Sequence, residues 1–304
     1  SISGSNQEQN GILLNSAYTT YQGRIGLDQE ISKNLSAGFN VNISKRKSDG
    51  SVIREGEGTT LTSYLLTRAW SFRPVTGSVD ENLLEEDLDE DAINQYDARF
   101  NPVATSNNAY NIRSNTDMSA NGYINYKISP SLSLKSTGTV YNSYISIENF
   151  YNSKTPQGSL ISLLNSKKIN ASVSTGERMT LSSNSVLTYN KTFSKSHKIT
   201  ALGGFEIQSS SYKGYGFSTQ QIPNEEMGMS GMDQGNPLTT SAIDTEYSLL
   251  SGFGRLSYGF ESKYLFTATF RADASSKFSE ENRWGYFPAV AVAWNMHSEK
   301  WFKD

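Results

Sequence analysis

The chain has no cysteine, which removes disulfide scaffolds, Cys-ligated metals and thiol nucleophiles. It also lacks any long apolar run. The longest, AVAVAW at 289–294, is far below the ~20 residues a membrane-spanning helix needs. A helical membrane protein is therefore excluded, while a membrane β-barrel is not. There are only two histidines, His197 and His297, far apart in sequence, and no HExxH, GxSxG or Walker A pattern is present. GMSGM at 228–232 imitates a nucleophile elbow without its glycine spacing and reads as a flexible loop. Loop carboxylates are too many to single out a glycosidase-like pair, so no enzymatic chemistry is expected. The 27 Lys and Arg are scattered, against 30 Asp and Glu, so no basic stripe points to nucleic acid.

Charged residues make up 19% of the chain and hydrophobic ones 36%, both low for a soluble globular domain. Glycine, tyrosine, phenylalanine and small polar residues fill the difference. Alternation is the dominant signal. In LSAGFNVNIS, Leu35, Ala37, Phe39, Val41 and Ile43 share one face, and Ser36, Gly38, Asn40, Asn42 and Ser44 the other. The same phase recurs from Ala120 to Ile128, Ile199 to Ile207 and Tyr264 to Ala272. About nine strands are expected, near 17–31, 35–46, 115–129, 131–147, 179–193, 197–212, 244–260, 263–276 and 285–297. Many exceed the ~5–6 residues usual in soluble sheets.

The connections alternate in length. Tight turns fall at 32–34, 130, 194–197 and 261–263, and long polar excursions at 47–114, 148–178 and 213–243, with a shorter one at 277–284. Short turns on one side and long loops on the other are the pattern of an outer-membrane barrel. Aromatics gather at two levels: Tyr189, Phe193, Tyr258, Phe260, Tyr264 and Phe266 beside the turns, Tyr141, Tyr144, Phe150, Tyr212, Tyr215 and Trp284 towards the loops. Within the first long loop, Leu61, Tyr64, Leu65 and Arg68 are spaced for one face of a short helix. Asp87, Asp89 and Asp91 imitate the first half of a calcium loop, but Ala92 and Ala98 stand where Gly and Glu belong, and a solvated acidic loop is the plainer reading. No other metal or cofactor is implied.

RADASSKFSEENRWGYFPAVAVAWNMHSEKWF resembles the strand–loop–strand signature of SusC/RagA-type TonB-dependent outer-membrane transporters. Arg271, Asp273, Ser275, Ser276, Phe278, Asn282, Arg283, Trp284, Gly285, Phe287, Pro288, Trp294, Ser298, Glu299 and Phe302 match it. Ala274, Lys277, Ala289 and Ala291 depart from it without breaking the alternation. LLSGFGRLSYGFESKYLF, just before it, resembles the family's preceding strand pair, and SGSNQEQNGILLNSAYTTYQGRIGLDQEISKNLSAGFNVN its early barrel segment.

The resemblance implies an all-β, antiparallel transmembrane barrel of about 22 strands around an N-terminal plug. On that expectation residues 1–304 form a partial barrel domain, roughly the first half of the wall, without the plug or the C-terminal strands. It further implies TonB-dependent import of oligosaccharides or oligopeptides across the outer membrane of a Gram-negative bacterium. The implied partners are a SusD-like lipoprotein, the TonB complex acting through the plug, outer-membrane lipid, and a second transporter–lipoprotein pair in a homodimer.

Alternation places Tyr21, Phe39, Val41, Ile124, Phe205, Leu256 and Phe266 towards lipid. Arg24, Asp28, Lys127, Lys135, Glu206, Arg255, Arg271 and Asp273 are the candidates for the lumen or plug side, where mutual pairing is their plainest role. The alternative is a surface-exposed structural or adhesive β protein without transport activity. A solenoid of that class would show a fixed repeat, and none is seen.

Overall fold

The computed structural model describes residues 1–50, 69–70, 102–160, 165–194 and 196–302. The calcium-like Asp87, Asp89 and Asp91 and the helical spacing of Leu61, Tyr64, Leu65 and Arg68 lie outside these residues. Ten strands follow one another: β1 (Ile2–Asn10), β2 (Ala17–Glu30), β3 (Leu35–Asp49), β4 (Ala109–Ser129), β5 (Leu132–Tyr151), β6 (Asn170–Phe193), β7 (His197–Gln220), β8 (Asn236–Phe260), β9 (Tyr264–Ser275) and β10 (Trp284–Trp294). They form one sheet in sequence order, each antiparallel to its neighbours. β1 and β10 are its edges.

Two features differ from the alternation-based reading. β1 is an additional strand. Its SGSNQEQN stretch has no apolar phase, yet it pairs with β2 from Ile2↔Ile25 to Asn10↔Ala17. The loops are also shorter than expected, because β6, β7 and β8 reach 24, 24 and 25 residues. Their outer ends, such as 171–178 and 213–220, continue the backbone ladder after the apolar phase stops. Beyond the apolar band there is less need for apolar alternation, but the hydrogen bonds that hold the strands together continue.

At the opposite end the turns are tight. Ile31 and Ser32 N–H donate to Leu35 O at 2.9 and 3.0 Å, closing the β2–β3 turn. The β8–β9 turn takes Glu261 and Ser262 to φ of 51° and 56°, two consecutive left-handed residues without glycine, and Lys263 N–H donates to Phe260 O at 2.9 Å to close it.

There is almost no interior. The buried hydrophobic residues described are Phe150, Ile169, Ala171, Ile222 and Met232, one cluster at the loop end of β5 and β6. The ten-residue 3-10 segment Glu225–Gln234, kinked at Gly228, closes over it. Glu225 anchors this cap by accepting from Ser153 N at 2.7 Å and Ser153 Oγ at 2.9 Å. The expected flexible loop at GMSGM is thus a packed element, with Gly231 and Met232 buried. Most large apolar side chains of the strands remain exposed, among them Val292 at 77% and Val290 at 68%.

Candidate functional site

Because directly paired residues on antiparallel strands share a face, the register sorts the sheet into two surfaces. One row runs Asp28, Gly38, Tyr123, Thr137, Asn184, Glu206, Ser251, Asp273, Gly285 across β2 to β10. The same pairing puts Arg24, Lys127, Lys135, Arg255 and Arg271 on this face, so it holds all eight charged residues singled out from the sequence. Tyr21, Phe39, Val41, Ile124, Phe205, Leu256 and Phe266 fall on the other face.

The polar face is built from small networks. Arg271 lies between two carboxylates, 2.7 Å from Asp273 Oδ1 and 3.4 Å from Glu206 Oε2. Its guanidinium carbon also sits 5.6 Å from the Phe253 ring centroid, and that ring lies where a Cβ on Gly204 would be, 2.9 Å from it. A second stack repeats the design. Tyr123 covers Gly38, donates its hydroxyl to Asp28 Oδ1 at 2.8 Å, and carries Lys135 Nζ 4.6 Å above its ring. Tyr212 lies against Gly176 and Gly214, with Arg178 5.2 Å from its centroid. Each ring has glycine beneath and a cation on or beside it, so the aromatic area is spent on the wall itself. Arg255 Nε donates to Ser257 Oγ at 3.2 Å, while Arg24 lines a shallow depression with Gln22, Asn42, Ser44 and Ser119.

Sequence reading missed a further ion pair, Arg46 with Asp117, joined by Tyr141 Oη at 3.1 Å and Asn115 Nδ2 at 2.9 Å. Both residues occupy the polar phase of their strands, but at the loop ends, where the apolar phase that would have flagged them fades. Tyr141 and Tyr212 accordingly face the polar side instead of joining a loop-side aromatic level, and Phe150 is buried beneath the cap.

The apolar face forms a band. On β3 it runs Leu35, Ala37, Phe39, Val41, Ile43 before Lys45, and on β9 Tyr264, Phe266, Ala268, Phe270, Ala272, Ala274. Nine to eleven residues is the length a tilted strand needs to cross a bilayer. At the turn end an aromatic ladder crosses the strands: His197–Phe260, Phe260–Tyr264 and Tyr264–Trp294, with centroids 4.8, 6.3 and 6.3 Å apart. His197, expected in a turn, is the first residue of β7 and shares a 2.7 Å hydrogen bond with Tyr258 Oη. His297, expected at a strand end, sits in the short turn Met296–Ser298.

Residues 295–302 fold back on this end. Glu299 Oε1 accepts from Tyr264 Oη at 2.8 Å and Trp294 Nε1 at 3.2 Å, and Lys263 Nζ lies 3.6 Å from its other oxygen. The Tyr264 hydroxyl first, then the indole N–H and the lysine charge, hold the Glu299 carboxyl below its ordinary range. Among the described residues no group of three or more His, Cys, Asp or Glu is placed to hold a metal ion.

No protein-family model matches the chain. In an alignment of 312 positions that takes in the whole of this chain, it is 28% identical to TonB-dependent receptor P3 of Formosa agariphila, of which it covers 29%. It is 48% identical to TonB-dependent receptor SusC of Bacteroides thetaiotaomicron over 64 residues, 21% of this chain and 6% of that protein. Among solved structures, the RagAB peptide importer in its open-open state superposes with a TM-score of 0.70 at 18% identity, over 95% of this chain and 31% of that one. The fold is that of an antiparallel barrel wall, and the chain spans less than a third of the length of these relatives.

Proposed function

We propose that this chain, similar from end to end to TonB-dependent receptors, is part of the barrel wall of a SusC/RagA-type importer in the outer membrane of a Gram-negative bacterium. The observation that supports this reading best is the sheet's two-sidedness. An apolar band of bilayer height covers one face without a partner among the described residues, and ion pairs and hydroxyls cover the other. Lipid satisfies the first face, and a water-filled or plugged lumen satisfies the second.

On this reading Arg24, Asp28, Lys127, Lys135, Glu206, Arg255, Arg271 and Asp273 face the lumen or plug. Arg271 pairs with Glu206 and Asp273, and the other five are left to support the plug or to meet cargo. The cargo is a nutrient oligomer, oligosaccharide or oligopeptide. A SusD-like lipoprotein closes the outer mouth, TonB pulls on a plug formed elsewhere in the polypeptide, and transporter–lipoprotein pairs associate as homodimers.

The test is fractionation and transport by the full-length protein. It should sediment with the outer membrane, need detergent to stay monodisperse, and accumulate its oligomer only in cells with functional TonB. A full-length protein that stays soluble and monodisperse without detergent would sink the proposal and favour the adhesive or structural alternative.

A further inference from the structure

The two faces differ in charge as well as polarity. Besides Arg24, Lys127, Lys135, Arg255 and Arg271, the register puts Arg46, Arg113, Arg178 and Lys198 on the polar face. The carboxylates on that face of the strands are Asp28, Glu30, Asp117, Glu206 and Asp273. Nine cations thus stand against five anions, a surplus of four, in a sequence whose net charge is -3.

The opposite face runs the other way. Lys45, Lys47, Lys191 and Lys213 are outnumbered there by Glu8, Asp49, Glu148, Glu177, Asp244 and Glu246. The positive surplus is also the available part of the charge. Asp28 is held by Tyr123, Asp117 by Arg46, and Glu206 and Asp273 by Arg271, which leaves Glu30 as the one carboxylate of the five outside these contacts. Among the described residues no carboxylate lies within ion-pair distance of Arg24, Lys127, Lys198 or Arg255.

We infer that this wall is built to pass an anionic oligosaccharide, one bearing carboxylate or sulfate groups. The inference rests on the lumen assignment above and deepens it. A surface carrying one sign of charge inside a low-dielectric enclosure concentrates oppositely charged solutes. The chemistry around the cations favours a saccharide over an acidic peptide. The rings of Tyr123, Tyr212 and Phe253 lie against glycines beside cations, so these three rings are packed on the wall and do not frame a pocket for an apolar side chain. Hydroxyls and amides dominate what remains. The depression of about 470 Å³ at Arg24 is lined by Gln22, Asn42, Ser44 and Ser119 and by one carboxylate, Asp117, which Arg46 engages; it offers the Arg24 guanidinium and hydrogen-bonding groups to one oxyanion and its neighbouring hydroxyls.

The experiment uses the full-length protein in detergent micelles on an array of neutral, carboxylated and sulfated oligosaccharides, with oligoglutamate as the peptide arm. Retention should be confined to the carboxylated or sulfated glycans and should weaken as salt rises. The triple variant Arg24→Gln, Lys127→Gln, Arg255→Gln should lose about tenfold in that retention. Retention of neutral glycans, of oligoglutamate in preference to glycans, or of nothing overturns the inference. So does a salt-independent signal, a readout that remains available if the triple variant fails to assemble. A protein that assembles in the outer membrane and imports, yet selects neutral cargo, defeats only the charge inference; one that never enters the membrane defeats the wall assignment.

Discussion

At the scale of single residues, the wall is organised around where a side chain is missing. Gly38 has no Cβ because Tyr123 needs the space: an added one would lie 2.7 Å from Tyr123 Cε1 and 2.9 Å from the backbone oxygen of Leu27. Gly38→Val should therefore lift the ring, break its 2.8 Å hydrogen bond to Asp28 and strip Lys135 of its aromatic seat. Overpacking of this kind costs about 1–3 kcal/mol, read as a lower urea midpoint for unfolding from micelles. Gly138→Val, where nothing lies within 4 Å of the added carbon, is the control and should change the midpoint little.

Glu299 gives a second test at this scale. Because its folded pKa is depressed, its contribution is present above the ordinary carboxylate value of about 4.3 and is lost as pH falls through the lower folded value. Amide exchange over 295–302, corrected for intrinsic rates, should rise on acidification in the wild type and be insensitive to pH in Glu299→Gln. Equal profiles in both proteins would show that the carboxylate does not hold this turn.

Strands show most clearly which part of the fold the sequence announces. Leu35 to Ile43 and Tyr264 to Ala274 were legible because an apolar phase every second residue leaves no other regular solution. The eight charged residues of the polar face were legible for the same reason, as the complementary phase. β1 and the outer ends of β6 to β8 were not, since SGSNQEQN is exposed throughout and stretches such as NASVS at 170–174 lie beside the cap, where no long apolar phase is demanded of them. Pairings such as Arg46 with Asp117, 71 residues apart, depend on register across a long connection that local pattern cannot supply.

The two phases of β9 make opposite predictions about adjacent residues. Phe270 stacks on Tyr286 at 6.2 Å in the apolar band, while Thr269 belongs to the other face. Arginine at mid-bilayer on the lipid face costs about 2–4 kcal/mol, so Phe270→Arg should sharply reduce the heat-modifiable, membrane-assembled fraction and Thr269→Arg should leave it nearly intact. Similar losses in both would mean the faces are misassigned.

For the sheet as a whole, the decisive feature is that it does not close. β1 and β10 each offer one unpaired row of backbone N–H and C=O groups, and β10 does so beside Val290 and Val292, two of the most exposed apolar residues. In hydrocarbon an unpaired amide costs several kcal/mol, so an open edge of this length cannot persist there. Our reading of the chain as part of a wall requires both edges to be continued by further strands of the same polypeptide, with the ladder closing into a barrel. Expressed by themselves, residues 1–304 should consequently form edge-paired oligomers or aggregates in detergent, whereas the full-length protein should be free of them. Light scattering on the eluted peaks separates these outcomes, and amide exchange along Trp284–Trp294 adds a local check: the amides that point towards β9 are paired in either case, whereas those that point away from it should be protected in the full-length chain and exchange in a monomeric segment. A monodisperse monomer of the segment with the outward-pointing amides of β10 protected would mean that the sheet is satisfied as it stands, and the barrel-wall assignment would then have to be given up.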